Sequence, residues 1–212
     1  MIRLAPLVWF VVVLGVGFGW RIWLQHRRFG HSGFFLFRSG RWVQHLRESM
    51  LLVLGALLGV QAVVYAVDPE GLASISALTP PSGGLAAALG ILLILGGIAL
   101  MIAAQLDLGA SWRIGFDERA RPGLVTTGLY RFSRNPIYLS LFLGLFGFMV
   151  LLPTWPTIGA VAASVIGFRN QVREEERFLH RLYGDEFVAY ARRVGRFVPG
   201  LGTRVALTQP RG

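Results

Sequence analysis

Apolar residues gather into five runs, at about 4–24, 50–67, 85–106, 137–152 and 157–168, with polar stretches between them. The first three runs are long enough for the roughly 20 residues a helical membrane span needs. The last two are shorter and meet at Pro153-Thr154-Trp155-Pro156. That junction predicts a helical hairpin, because a turn needs no backbone donor from its prolines. After Phe168 the pattern turns amphipathic: Val172, Phe178, Leu179 and Leu182 recur at helical spacing with Arg and Glu between them. Gly184 predicts the end of this helix, and Asp185 the N-cap of a short second one reaching Val194. These last helices are expected on the cytoplasmic face, with aromatic side chains at headgroup level. Residues 201–212 read as a loose tail.

The composition agrees. Of 212 residues 54% are hydrophobic and 15% charged, against about 25% charged in soluble domains. There is no cysteine, which excludes disulfides, thiolate metal sites and a cysteine nucleophile. All 21 basic residues are arginine, and 20 of them fall in the segments 21–47, 113–134 and 169–212. Arg3 is the exception, and the segments 68–84 and 153–156 hold none. This asymmetry predicts an outside N-terminus and a cytoplasmic C-terminus. The net charge of +10 then reads as a basic face toward anionic headgroups, not as a nucleic-acid footprint. Arg3 before an apolar run raises a signal peptide. The run is long, lacks a small-residue cleavage pattern and ends in an interfacial Trp20-Arg21-x-Trp23 belt, so it is read as a retained span. Gly55-Ala-Leu-Leu-Gly59 and the glycines of the third and fourth runs predict close helix packing within a monomer.

Chemistry concentrates in two places. Arg134-Asn135-Pro136-x-Tyr138 lies where a loop becomes the fourth run. Pro136 suits a first helical turn, whose amides suit an anion or carboxylate. Arg134 is expected to add a bidentate clamp and Asn135 a donor and an acceptor. Gly123-Leu-Val-Thr-Thr-Gly128-Leu-Tyr130 is a glycine-bounded loop ahead of it, in which Tyr130 could stack on a ring. Glu174, Glu175 and Glu176 follow the hairpin. Consecutive helical residues point about 100° apart, so one or two of the three can face a pocket. Asp107 is read as a structural acid at the end of the third run. His26, His31, His45 and His180 lack metal-ligand spacing, and no metal is expected.

Together these pieces resemble the isoprenylcysteine carboxyl methyltransferase family, whose C-terminal pattern is shared with phospholipid N-methyltransferases. The residues that carry the resemblance are Gly123-Leu124-Val125, Gly128-x-Tyr130, Arg134-x-Pro136-x-Tyr138, Glu175-Glu176-x-x-Leu179, Tyr183-Gly184-x-x-Phe187-x-x-Tyr190 and Val198-Pro199-Gly200. They lie between about 106 and 200. The resemblance implies S-adenosylmethionine as methyl donor, held on the cytosolic side in a pocket open to lipid and closed by the amphipathic helices. It implies donor contacts from the Leu124 and Val125 backbone, Tyr130, Asn135, Pro136, Tyr138 and Glu175, with Arg134 and Glu175 central to catalysis. Asn135 stands where the eukaryotic enzymes usually carry histidine. Gln171 stands at the family's substrate-side arginine, which leaves Arg169 or Arg173 to meet the substrate.

The expected protein is therefore an all-α integral membrane methyltransferase with about five transmembrane helices, set in a bacterial inner membrane. Residues 1–106 form three spans with a basic cytoplasmic loop, 107–200 the catalytic region and 201–212 the tail. Its partners are membrane lipids and a lipophilic acceptor. A carboxylate acceptor is favoured, because it is already ionised and no general base stands out. Phospholipid N-methylation or small-thiol S-methylation is the alternative. Two further readings are an NADPH-dependent reductase like the sterol reductases and a non-catalytic membrane binding module.

Overall fold

The computed structural model describes residues 2–38, 42–114 and 123–203. Each apolar run becomes a helix. Helix α1 spans Ile2–Phe29, with a π-helical stretch at Val13–Trp20, and stops at Gly30 in the left-handed conformation. Helix α2 is Trp42–Val67, α3 is Gly84–Leu108, α4 is Pro136–Leu151 and α5 is Trp155–Arg193. Helices α1, α2 and α3 are long and apolar enough to cross a membrane. No strand occurs among the described residues, only isolated bridges.

Glycine sets the tightest packing. Helices α3 and α4 lie backbone to backbone: a Cβ at Gly97 would sit 2.8 Å from the Ser140 carbonyl oxygen, and one at Gly147 would sit 2.6 Å from that of Gly90. The Gly55/Gly59 pair divides. A Cβ at Gly59 would meet the Phe10 ring of α1 at 2.6 Å, whereas one at Gly55 meets open space. Phe148, Leu151 and Leu152 are fully buried in the shared core, which also takes Trp9 from α1 and Ala62 from α2.

The predicted hairpin forms. Thr154 caps α5 by accepting a hydrogen bond from the Thr157 N–H, as N-cap threonines do. Its hydroxyl donates to Gln61 Oε1 on α2, and so ties the turn to the bundle. Two details depart from the sequence reading. The fifth run and the amphipathic segment are one uninterrupted helix, because no breaker lies between Phe168 and Tyr183. Gly184 kinks that helix (φ 50°, ψ −124°) rather than ending it, and helix geometry resumes to Arg193. The expected tail also begins later: Arg134 Nη2 donates to the Gly202 carbonyl, and Arg196 N–H to that of Leu201. The remainder of the tail, 204–212, lies outside the described residues, as do Arg41, Arg119 and Arg121.

Candidate functional site

The loop after α3 is fastened from two sides. Arg21 on α1 donates to the Gly109 carbonyl at 2.6 Å and lies over the Trp112 ring. Ile114 exchanges backbone hydrogen bonds of 2.8 Å with Gly33 and Phe35, which brings the α1–α2 loop alongside. Asp107 accepts from the Leu129 N–H at 2.7 Å and so holds the turn Gly128–Arg131, the structural role expected of it. Gly128 is required there: its φ is +58°, and a Cβ would strike the Asp107 carboxylate. Tyr130 is buried, and its carbonyl accepts from Tyr190 Oη at 2.7 Å. Burial pushes both phenols well above their ordinary pKa, so both stay neutral.

Arg134 is the hub beneath this turn. Its Nε and Nη2 meet Glu176 Oε1 at 2.9 Å. Nη1 donates to the Ala191 and Val194 carbonyls, and Nη2 to that of Gly202. Nε, Nη1 and Nη2 are thereby all engaged by protein groups. Glu176 also takes Arg196 at 2.6 Å. Asn135 Nδ2 donates to the Arg196 carbonyl at 3.1 Å. These bonds fold the segment 194–203 back over the start of α4.

Glu175 turns elsewhere. Its Oε1 accepts from Tyr138 Oη at 2.7 Å and Gln171 Nε2 at 3.2 Å. Burial raises its pKa above the usual carboxylate value, against the lowering pull of these hydrogen bonds and of Arg113. Glu174 pairs outside with Arg177 at 3.2 Å.

These residues border a cavity of about 640 Å³. Leu124, Val125, Tyr130, Asn135, Tyr138 and Glu175 line it, along with Arg134 at its edge. Pro136 does not; it is buried at the first position of α4. Arg169 and Arg173, expected to meet substrate, are exposed and do not line it. The reason is angular: Gln171 stands about 200° from each on the helix, and it is Gln171 that faces the cavity with Glu175. Sequence reading missed Gln44, Glu48 and Arg113, which also line it. A buried glutamate four residues from a glutamine at the head of an apolar helix was the available signal.

The cavity has two chemically distinct parts. Its polar part holds a carboxylate at Glu175, the tyrosines Tyr130, Tyr138 and Tyr190, and the loop residues Leu124 and Val125. Its apolar part runs between the spans, walled by Trp9 and Val13 of α1, Leu51 and Leu58 of α2, and Leu141 and Leu145 of α4. Among the described residues no group of His, Cys, Asp or Glu is arranged to hold a metal ion.

Residues 85–186 match the phospholipid methyltransferase family model. The protein-S-isoprenylcysteine O-methyltransferase of Mus musculus is 31% identical over 125 residues, 57% of this chain and 44% of its own length. Protein-S-isoprenylcysteine O-methyltransferase A of Arabidopsis thaliana is 32% identical over 117 residues, 52% of this chain and 57% of its own. The cobalt-zinc-cadmium resistance protein CzcN of Cupriavidus metallidurans is 31% identical over 113 residues, 52% of this chain and 50% of its own. The chain spans about half the length of the curated relatives it matches. The resemblance drawn from the motifs between 106 and 200 is thereby borne out.

Proposed function

We propose that this chain is an S-adenosylmethionine-dependent membrane methyltransferase acting on a lipophilic acceptor. The observation that carries the reading is a cavity of about 640 Å³ whose lining joins polar residues such as Glu175 and Tyr138 to apolar residues of α1, α2 and α4. The polar part suits the donor. Glu175 offers a carboxylate to an ammonium, and Tyr130 and Tyr138 offer aromatic faces. Bound there, the donor would supply a sulfonium methyl group, whose carbon would bond to the acceptor atom as its C–S bond breaks in line and the neutral thioether leaves.

The protein's own part is positioning, which accounts for much of the acceleration in such transfers. Tyr138 holds the Glu175 carboxylate, and Asp107 holds the turn that carries Tyr130. The Arg134–Glu176–Arg196 cluster fixes the start of α4 and the segment over it. The apolar walls from α1, α2 and α4 receive the acceptor's chain and keep water from the reacting atoms. Domain roles follow: residues 107–200 carry the donor chemistry, and residues 1–106 supply most of the acceptor's channel.

A carboxylate oxygen is the acceptor atom we favour; the Mus musculus and Arabidopsis thaliana relatives are named as O-methyltransferases. It needs no base, and Arg47 and Arg113 line the cavity. The hairpin α4–α5 completes a five-span arrangement, with the N-terminus outside and the donor site at the inner leaflet of a bacterial membrane. The asymmetric arginines support this orientation.

The test is titration of detergent-purified protein with S-adenosylmethionine and NADPH, then transfer of a labelled methyl group to prenyl thioether acids and extracted lipids. Saturable binding of the first alone, with label appearing in a lipophilic product, is expected. Binding of NADPH, or of neither, sinks the reading.

A further inference from the structure

The first hundred residues look like generic spans in the sequence, yet they place two polar side chains deep in the site. Glu48 is 3% exposed and Gln44 8%, one helical turn apart on α2, and both line the cavity. Gln44 Nε2 donates to Glu48 Oε1 at 3.0 Å and to Gln171 Oε1 at 3.4 Å. Gln171 Nε2 in turn donates to Glu175 Oε1 at 3.2 Å. The other Glu48 oxygen accepts from the Phe37 N–H at 2.6 Å, in the loop that pairs with Ile114. A line of hydrogen bonds thus runs from α2 across the cavity to the carboxylate on α5.

The order of donors in this line is fixed by chemistry. An ionised carboxylate only accepts, whereas a side-chain amide has one accepting and one donating end. Glu48 therefore turns the NH2 group of Gln44 toward itself. The same NH2 group meets the oxygen of Gln171, which leaves the NH2 group of Gln171 to face Glu175. Both Tyr138 and Gln171 end on Oε1 of Glu175, and neither uses Oε2.

We propose that Gln44 and Glu48 are positioning residues for donor binding: by fixing the amide of Gln171, they hold Glu175 with Oε2 turned to the donor's ammonium. The inference rests on the donor reading above and adds that the N-terminal spans control it. Glu48 acts through Gln44 and Gln171 and touches neither donor nor acceptor. Hydrogen bonds to charged groups contribute enough for each link to change affinity by roughly tenfold.

The experiment is calorimetric titration of S-adenosylmethionine into the full-length protein in detergent, with steady-state kinetics on the same preparations. The variants are Gln44→Leu, Glu48→Gln, Gln171→Leu and the Gln44→Leu/Gln171→Leu pair, each checked for an unchanged unfolding temperature. Donor Kd and donor KM are expected to rise about tenfold in each single variant. The kcat at saturating donor and the acceptor KM are expected to stay within about twofold. The double variant is expected to lose no more than Gln171→Leu alone, as links of one line must. Unaltered donor affinity in the folded variants overturns the proposal, as does additive loss in the double. An effect confined to acceptor KM also overturns it, because Glu48 then meets the acceptor directly. Wild-type protein that binds no S-adenosylmethionine sinks the donor reading itself and this inference with it.

Discussion

Glu175 and Glu176 point about 100° apart on α5, and that angle sends one carboxylate to the cavity and the other to Arg134 and Arg196. Substitution should separate them. Glu176→Gln leaves the buried Arg134 and the half-buried Arg196 short of their counter-charge, and breaking a buried pair such as Arg134–Glu176 costs about 3–5 kcal/mol. A clear fall in unfolding temperature is expected, with donor binding lost only as far as the fold is lost. Glu175→Gln is expected to spare the unfolding temperature and to weaken donor binding by at least about tenfold. The pH dependence follows from the raised pKa of Glu175. Because its pKa is raised in the folded chain, protonation favours the fold, and that contribution is lost as pH rises through the folded pKa. Donor binding has the opposite sign, since an ammonium prefers the ionised form. Affinity should fall as pH is lowered through a value above the ordinary carboxylate range, and Glu175→Gln should flatten that limb in a calorimetric pH series.

At the scale of elements, α5 decides the shape of the site. It leaves the hairpin as an apolar helix, passes the cavity at Gln171 and Glu175, and bends at Gly184 before delivering Tyr190 to the Tyr130 turn and Phe187 to the small core beside it. The bend uses a backbone conformation that side chains other than glycine avoid (φ 50°, ψ −124°). Gly184→Ala is expected to cost about 1–3 kcal/mol and to loosen the Tyr190–Tyr130 hydrogen bond. Proteolysis of the segment 184–203 should then accelerate while the spans stay protected. The π-helical stretch of α1 brings Gly17 against Met101 of α3.

For the whole molecule, the membrane orientation is the most accessible test. The absence of cysteine makes any introduced thiol a unique reporter. Ser82→Cys, before α3, should react with an impermeant maleimide only from the outer face of intact cells. Arg173→Cys, exposed on α5, should react only after the inner face is opened. The reverse pattern would turn the arginine-based orientation over and put the donor cavity on the wrong side for a cytosolic cofactor.

What the sequence determined by itself is what depends on local spacing. Run length announced the three long apolar helices, Pro153 to Pro156 the hairpin and Pro136 the start of α4. The motifs between 123 and 200 named most of the residues that line the polar part of the cavity, because loop and helix-start residues of one local unit stay together in the fold. Only the tertiary structure decided which polar side chains share a space. Nothing in the spacing of Arg134 shows that carbonyls 57, 60 and 68 residues away will engage its donors. Nothing near Gln171 shows that α2 brings Gln44 beside it across 127 residues. Arg169 and Arg173 lie on the exposed side of α5, away from the cavity lining, for the same reason. A helix's period fixes which residues share a face, but only its packing partners decide which face looks inward.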